Sequence, residues 1–482
     1  MQTLSRMRRV RVLGVLLVCL GCKREGLPPI HESPPPVPDV DGGTPPNVDA
    51  GPPPPTFDPH RIGGMGAGPW GTASLTVYGS AQGLLEAPLS ASVDETENLW
   101  VVTNRALYLL QPGAHNFRRY TAQDGLHVGP GFTDPPDFTW VEGGAKNECF
   151  VGYYFHDTHD PPDKDAHTAN DPYAHRGKMD QVLLRSDGTL EARFYDLHNS
   201  PPSGFYYETR EVTSMVYDHF QHPGNLYVGS NHGVTRVIPA KWRLPQTPAE
   251  QAWPGGVEKE WYADHVHPMV CRGGPCDPNY ATRSVTFGDW FGLALGPDGR
   301  LWMGGLTSAG ALGYREALDD WIKDWGSFNP FDPPFGDPYP GGLPPVFNPP
   351  VEGDPVNIRA VTVAPDGVVW FASGEAEPWR GPTYGMASWD GQKFMYFDPT
   401  RLGALEYNIL EMKALPDGRL VLGFPTTGLL VWKPGEPAGH RLTVREGLPG
   451  EHIRRLSLDL MHQPPLLLVP TDGGLLLLRD VP

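Results

Sequence analysis

Short apolar runs separated by tight-turn residues recur along most of the chain, and their period is that of strands rather than helices. The clearest unit is an apolar strand, a Pro-Asp-Gly turn and a second strand that opens on a large apolar residue. It reads Ala294-Leu-Gly-Pro-Asp-Gly-Arg-Leu-Trp302, Val363-Ala-Pro-Asp-Gly-Val-Val-Trp370 and Ala414-Leu-Pro-Asp-Gly-Arg-Leu-Val421. Asp-Gly between apolar runs is a hairpin signal, because glycine takes the positive φ that such turns need. Weaker copies of the second strand begin at Asn98, Glu148, Asn225 and Pro465, which makes seven second strands in all. Third strands follow most of them (Ala106 to Leu110, Gly233 to Ile238, Gly428 to Trp432, Gly473 to Leu478), and fourth strands read like Phe117-Arg-Arg-Tyr-Thr121 or Lys393-Phe-Met-Tyr-Phe397.

Four-stranded units repeated around an axis predict an all-β, seven-bladed β-propeller over residues 72–482. The last unit has only three strands before Pro482. Upstream of the first lies an extra strand, Ser74-Leu-Thr-Val-Tyr78, followed by Gln82-Gly-Leu84, and this matches the fourth-strand endings Tyr120-Thr-Ala-Gln-Asp-Gly-Leu126 and Leu442-Thr-Val-Arg-Glu-Gly-Leu448. The expectation is that the N-terminal strand completes the last blade and closes the ring without a long exposed edge.

Ahead of this domain come two segments of different character. Residues 1–21 carry Arg6, Arg8, Arg9 and Arg11, then an apolar run from Val12 to Leu20 that is too short to span a bilayer as a permanent helix. The run ends in Cys19-Leu-Gly-Cys22, which resembles the lipobox of bacterial lipoproteins, with Cys19 where leucine is usual. That resemblance implies cleavage before Cys22 and its lipidation. Residues 22–71 are rich in Pro, Asp and Gly, including Pro34-Pro-Pro36, and read as a disordered tether. The expected address is the cell envelope, with a lipid anchor at the outer membrane.

Net charge is −18, or −22 without the four leader arginines, and no basic run follows Arg24, so nucleic acid is not an expected partner. Cys149 lies in an apolar strand and reads as a buried thiol, while Cys271 and Cys276 flank a short loop where a local disulfide fits an oxidising compartment.

Gly447-Leu-Pro-Gly-Glu-His-Ile-Arg-Arg-Leu-Ser-Leu-Asp459 and Leu226-Tyr-Val-Gly-Ser-Asn-His-Gly-Val234 resemble the two-component-regulator propeller repeat. In that family the propeller is the extracytoplasmic sensor of a membrane kinase and often reads oligosaccharides. No kinase or immunoglobulin-like domain follows here, so the signalling role is not carried over. The Pro-Asp-Gly-x-Leu-Trp unit is also similar to that of streptogramin lyase, whose catalytic residues find no clear counterpart.

Insertions concentrate in two types of connection that open on one face of a propeller. Phe155 to Met179 and Ser373 to Tyr384 join second to third strands, whereas Leu197 to Arg210, His265 to Asp289 and Gly326 to Val356 link consecutive units. An elaborated face opposite a plain one is the usual mark of a binding face. Trp140, Tyr206, Tyr207, Trp290 and Trp379 are assigned to it, for a protein partner or an extracellular glycan. The insertion with His156, Asp157, His159, Asp160 and His167, together with Asp264, His265 and His267, suits a divalent ion, zinc through nitrogen or calcium through oxygen. A solvated polar loop explains the same residues and is the preferred reading. With no nucleophile elbow, phosphate loop or HExxH motif, a non-enzymatic binding role leads. A lyase or hydrolase holding a metal in the His/Asp loops is the alternative.

Overall fold

A computed structural model describes residues 75–126, 137–154, 179–195, 197, 212–230, 233–242, 263–266, 269–271, 283–285, 290–305, 308–315, 320–328, 336–337, 357–375, 383–391, 394–461, 464–479 and 481. The fold is an all-β propeller of four-stranded antiparallel blades.

The N-terminal strand β1 (Leu75–Tyr78) is followed by six blades, each built on four consecutive strands. The first holds β2 (Ser90–Val93), β3 (Leu99–Val102), β4 (Leu107–Leu110) and β5 (Arg118–Tyr120). The second holds β6 (Asp137–Gly143), β7 (Glu148–Tyr154), β8 (Met179–Leu184) and β9 (Leu190–Tyr195). In the third are β10 (Val212–Asp218), β11 (Asn225–Ser230), β12 (Val234–Val237) and β13 (Ala263–Val266). Two added strands, β14 (Met269–Cys271) and β15 (Arg283–Val285), precede the fourth blade of β16 (Trp290–Leu295), β17 (Leu301–Gly305), β18 (Ser308–Arg315) and β19 (Asp320–Phe328). Another, β20 (Gly336–Asp337), precedes the fifth, made of β21 (Ile358–Val363), β22 (Val369–Ser373), β23 (Met386–Trp389) and β24 (Phe394–Phe397). The sixth is β25 (Glu411–Ala414), β26 (Leu420–Gly423), β27 (Leu429–Trp432) and β28 (His440–Leu442).

Among the described residues, self-contained blades therefore number six, one fewer than the seven units counted in the sequence. The remaining strands, β29 (Ser457–Asp459), β30 (Leu466–Thr471) and β31 (Gly474–Leu478), lack a fourth of their own. Their sheet is composite, because β1 pairs antiparallel with β31, Leu75 opposite Leu478 and Tyr78 opposite Leu475.

The added strands lie in the insertions His265 to Asp289 and Gly326 to Val356. Strand β14 pairs parallel with β19 and antiparallel with β15, and β20 pairs parallel with β24. A blade's fourth strand is an edge with unpaired backbone groups, which a neighbouring segment can take up.

Strand pleating explains the core. Successive side chains point to opposite faces of a blade, so each strand feeds two different interfaces. Val101 joins Leu99, Leu468 and Leu477 between the first blade and the composite sheet. Its neighbours Trp100 and Val102 join Val141, Cys149 and Val151 between the first and second blades. The same division recurs around the molecule, with Phe150 and Tyr195 against Met215 and Val228, and Trp370 and Met386 against Leu422 and Trp432. These side chains are almost wholly buried and each stabilises the fold by roughly 1.5–3 kcal/mol. A glycine late in the second strand allows the next blade to close in: an added Cβ would meet Val212 at Gly152, Ile358 at Gly304 and Ile453 at Gly423, all within 2.9 Å.

The Pro-Asp-Gly turns have the geometry their sequence implies. Asp298, Asp366 and Asp417 each accept, through Oδ1, the backbone N–H two residues on at 3.1 Å. Gly299, Gly367 and Gly418 follow at φ of 79°, 84° and 83°. The Gly-Leu endings are also repeated: Gly83 and Gly125 close 3-10 turns that follow β1 and β5, at φ of 82° and 94°.

Candidate functional site

The first strand of each of the six blades, and β29 of the composite sheet, is an edge strand, and all of these (β2, β6, β10, β16, β21, β25 and β29) line one cavity of about 580 Å³. The cavity runs along these inner strands to the first-to-second-strand turns, where Gln221, Pro297, Pro365, Pro416 and Met461 border it. This is the face with the tight turns, opposite to the one on which the sequence places function.

Register identifies the side chains that ring the cavity. Ser92 stands opposite Trp100, Glu142 opposite Phe150, Val216 opposite Tyr227, Ala294 opposite Trp302, Thr362 opposite Trp370, Lys413 opposite Val421 and Leu458 opposite Leu467. All of these first-strand residues line the cavity. The repeated aromatic position of the second strand, structural in itself, thus marks an inward position on the strand beside it. Two residues of this ring carry charge, Glu142 and Lys413.

Glu142 accepts the backbone N–H of Tyr217 at 3.3 Å through Oε1. Burial pushes its carboxyl up to about 7, against the opposing pull of the Lys413 ammonium, the Tyr217 N–H and the Trp140 indole. Lys413 acts on Glu142 through its field, without a direct ion pair between them. A carboxylate has about four acceptor sites, so this one keeps most of its capacity. Nearer the turns, burial lowers the His219 pKa although Glu95, Asp459 and Asp218 favour its charged form. Its Nδ1 lies 3.5 Å from Glu95 Oε1, and its ring meets Tyr217 edge-on at 4.6 Å between centroids. Asp218 accepts the backbone N–H groups of Phe220, Gln221 and His222 at 2.7–2.9 Å, and Asp459 accepts that of Met461 at 2.8 Å.

Trp140 contributes an aromatic wall and is itself held by a cation. The Arg455 guanidinium lies 5.0 Å from the Trp140 ring centroid and donates to Glu411 Oε1 at 3.0 Å. Arg455 precedes β29 and Trp140 sits on β6, so this contact reaches past the first blade to join two sheets that are not neighbours. A guanidinium over an indole is worth roughly 0.5–2 kcal/mol and fixes the ring plane.

The residues singled out in the sequence distribute unevenly. Trp140 lines the cavity rather than a loop face. Trp290 is 1% exposed and packs with Tyr227, Leu293 and Leu301, so it is core, because it opens an inner strand instead of ending a loop. Asp264 and His265 stand in β13, opposite Arg236 and Thr235, not at the start of a loop. Cys271 ends β14. Cys22, Cys276, Tyr206, Tyr207, Trp379, His156, Asp157, His159, Asp160, His167 and His267 lie outside the described residues. Among the described residues, no three His, Cys, Asp or Glu side chains gather as a metal site would require. Cys149 is buried, and burial followed by the carboxylates of Asp94, Glu148 and Asp180 pushes its thiol well up.

Sequence reasoning did not reach Glu142, Lys413 and His219. The signal was present, since a charge interrupts a first strand at the position where other units carry Ser, Thr, Ala, Val or Leu. Reading it requires the strand register.

No protein-family model matches the chain, and no curated protein matches it in sequence. Solved structures do match in fold. The extracellular domain of a putative hybrid two component system from B. thetaiotaomicron aligns at 13% identity and a TM-score of 0.48, covering 85% of this chain and 42% of that one. A second such domain from the same organism aligns at 11% and 0.46, over 85% of this chain and 40% of its own. A catalytically inactive virginiamycin B lyase from Staphylococcus aureus, crystallised with quinupristin, aligns at 8% and 0.45, over 84% and 99%. The chain therefore spans about two fifths of the length of these two extracellular domains. At these identities the likeness concerns fold alone.

Proposed function

We propose that this chain is a non-enzymatic binding module of the cell envelope that holds a ligand at the propeller axis. The supporting observation is a cavity on which all the blades' first strands and β29 converge, walled by Trp140 and ringed by Glu142, Lys413 and Thr362. Ligand sites of this kind combine an apolar wall with a few placed polar groups, in a volume between 300 and 1,000 Å³. In this reading the composite sheet is the seventh blade of a closed ring, Cys22 is the lipidated residue and residues 22–71 are the tether. The insertions on the opposite face then serve a protein partner or an extracellular glycan.

Thermal unfolding of the full chain against envelope oligosaccharides, peptides and small polar metabolites tests the reading. A ligand at a hundredfold excess over its Kd adds ~2.7 kcal/mol. For a fold of this size the unfolding entropy makes that a rise of about 3 °C. A ligand whose shift disappears in Glu142→Gln and Lys413→Met supports the axial site. One whose shift is unchanged in both places binding on the insertion face and overturns it.

A second reading, a lyase or hydrolase, draws on Glu142, since a carboxyl titrating near 7 suits proton transfer. It requires further proton-transfer groups at the axis, and His219 is the histidine that lines the cavity among the described residues.

A further inference from the structure

The charges in the cavity ring are one carboxyl and one ammonium. Glu142 belongs to the second blade and Lys413 to the sixth. Packing of the interfaces places two sheets between them on one side, the first blade and the composite sheet. They therefore face each other across the lumen instead of standing side by side. They are electrostatically coupled without forming an ion pair, and Glu142 accepts the Tyr217 N–H at 3.3 Å beside the Trp140 indole. The surface between them is largely apolar, with Trp140, Leu293, Val361 and Leu456 along the wall. At the rim, Asp218 and Asp459 are occupied by backbone N–H groups of their own turns.

We propose that the axial cavity binds a small zwitterion with an apolar body, its ammonium at Glu142 and its carboxylate at Lys413. The proposal rests on the axial site of the preceding reading and names its ligand class. A ligand with one charge satisfies one pole and leaves the other desolvated beneath it, whereas a zwitterion compensates both. Charge-assisted hydrogen bonds contribute more than neutral ones, and an aliphatic or aromatic frame covers the apolar wall between the poles.

Isothermal titration of the full chain at pH 8, where Glu142 is ionised, separates the outcomes. The probes form two isosteric sets: leucine, 3-methylbutylamine and 4-methylpentanoate, then 6-aminohexanoate, hexylamine and hexanoate. The expected result is that one zwitterion binds at least roughly tenfold tighter than both single-charge members of its set. Glu142→Gln should remove its advantage over the carboxylate, and Lys413→Met its advantage over the amine. Circular dichroism of both variants should match that of the parent. An amine or carboxylate that binds as tightly as its zwitterion overturns the ligand class but leaves the axial site standing. Absence of binding by all six probes overturns the ligand class, while the axial site stands or falls by the thermal shifts of the Glu142→Gln and Lys413→Met variants.

Discussion

Replacing Glu142 by Gln should stabilise the protein, and by an amount that depends on pH in a defined way. The carboxyl is raised from its ordinary 4.5 to about 7, chiefly by burial. Between those values the unfolded chain has released a proton that the folded chain still holds, so folding stability falls as pH rises. Below 4.5 both states are protonated and the residue carries no penalty. Above 7 both are ionised and the full cost of keeping the carboxylate inside is present. Raising a carboxyl from 4.5 to about 7 corresponds to about 3 kcal/mol. Gln has nearly the same shape, keeps an oxygen for the Tyr217 N–H and carries no charge. The variant should therefore match the parent at pH 4.5, gain over it up to pH 7 with a slope near 1.4 kcal/mol per pH unit, and hold a constant advantage above. Urea unfolding of both proteins from pH 4.5 to 8.5 measures this directly. A difference that is flat across the range, or a variant weaker than the parent at pH 8, would refute the assignment of Glu142 as a desolvated carboxyl. Lys413→Met has the opposite sign, because loss of the ammonium lifts the Glu142 pKa further and lowers stability above neutrality.

Other consequences are equally direct. In Gly143→Ala the new Cβ would lie 2.1 Å from the Val93 carbonyl oxygen, so the first two blades must part, and a loss of roughly 3 kcal/mol should appear in thermal unfolding. Cys149 should resist alkylation in the folded protein and react once unfolded, as mass spectrometry of iodoacetamide-treated samples would show. Cys22→Ala should abolish incorporation of labelled fatty acid and release the protein from membranes on fractionation, in keeping with the proposed anchor. Deleting the chain through Tyr78 removes the strand paired with β31 and the edge-on contact of Tyr78 with Phe117 at 5.6 Å. The truncated protein should lose about 2 kcal/mol and show concentration-dependent association by light scattering.

Much of the fold was legible because the signals are local. Pro-Asp-Gly specifies a turn within five residues, and each second strand announces itself with a large apolar residue. The pairing of β1 with the last strands was legible as well, because the Gly-Leu ending after Tyr78 repeats those after Tyr120 and Leu442. The site was less so. Glu142 is one charge in an apolar strand, and only the pairing of β6 with β7 and of β25 with β26 shows that it shares a ring with Lys413. Trp290 misled for a related reason: composition cannot tell an aromatic that opens an inner strand from one that closes a loop. The extra strands β14 and β20 are too short for periodicity to register.

The pairing of β1 with β31 also sets a timetable. Tyr78 is synthesised 397 residues before its partner Leu475. At ~5–20 residues per second that interval is roughly 20 to 80 s. Throughout it, β1 is a strand without a sheet, and its Leu75 and Val77 stay exposed even in the finished fold. Blades between them can form in turn as they emerge, but the composite sheet waits for β31. A ribosome that stalls inside the sixth blade thus releases a molecule with two unsatisfied ends, whose simplest remedy is another copy in the same state.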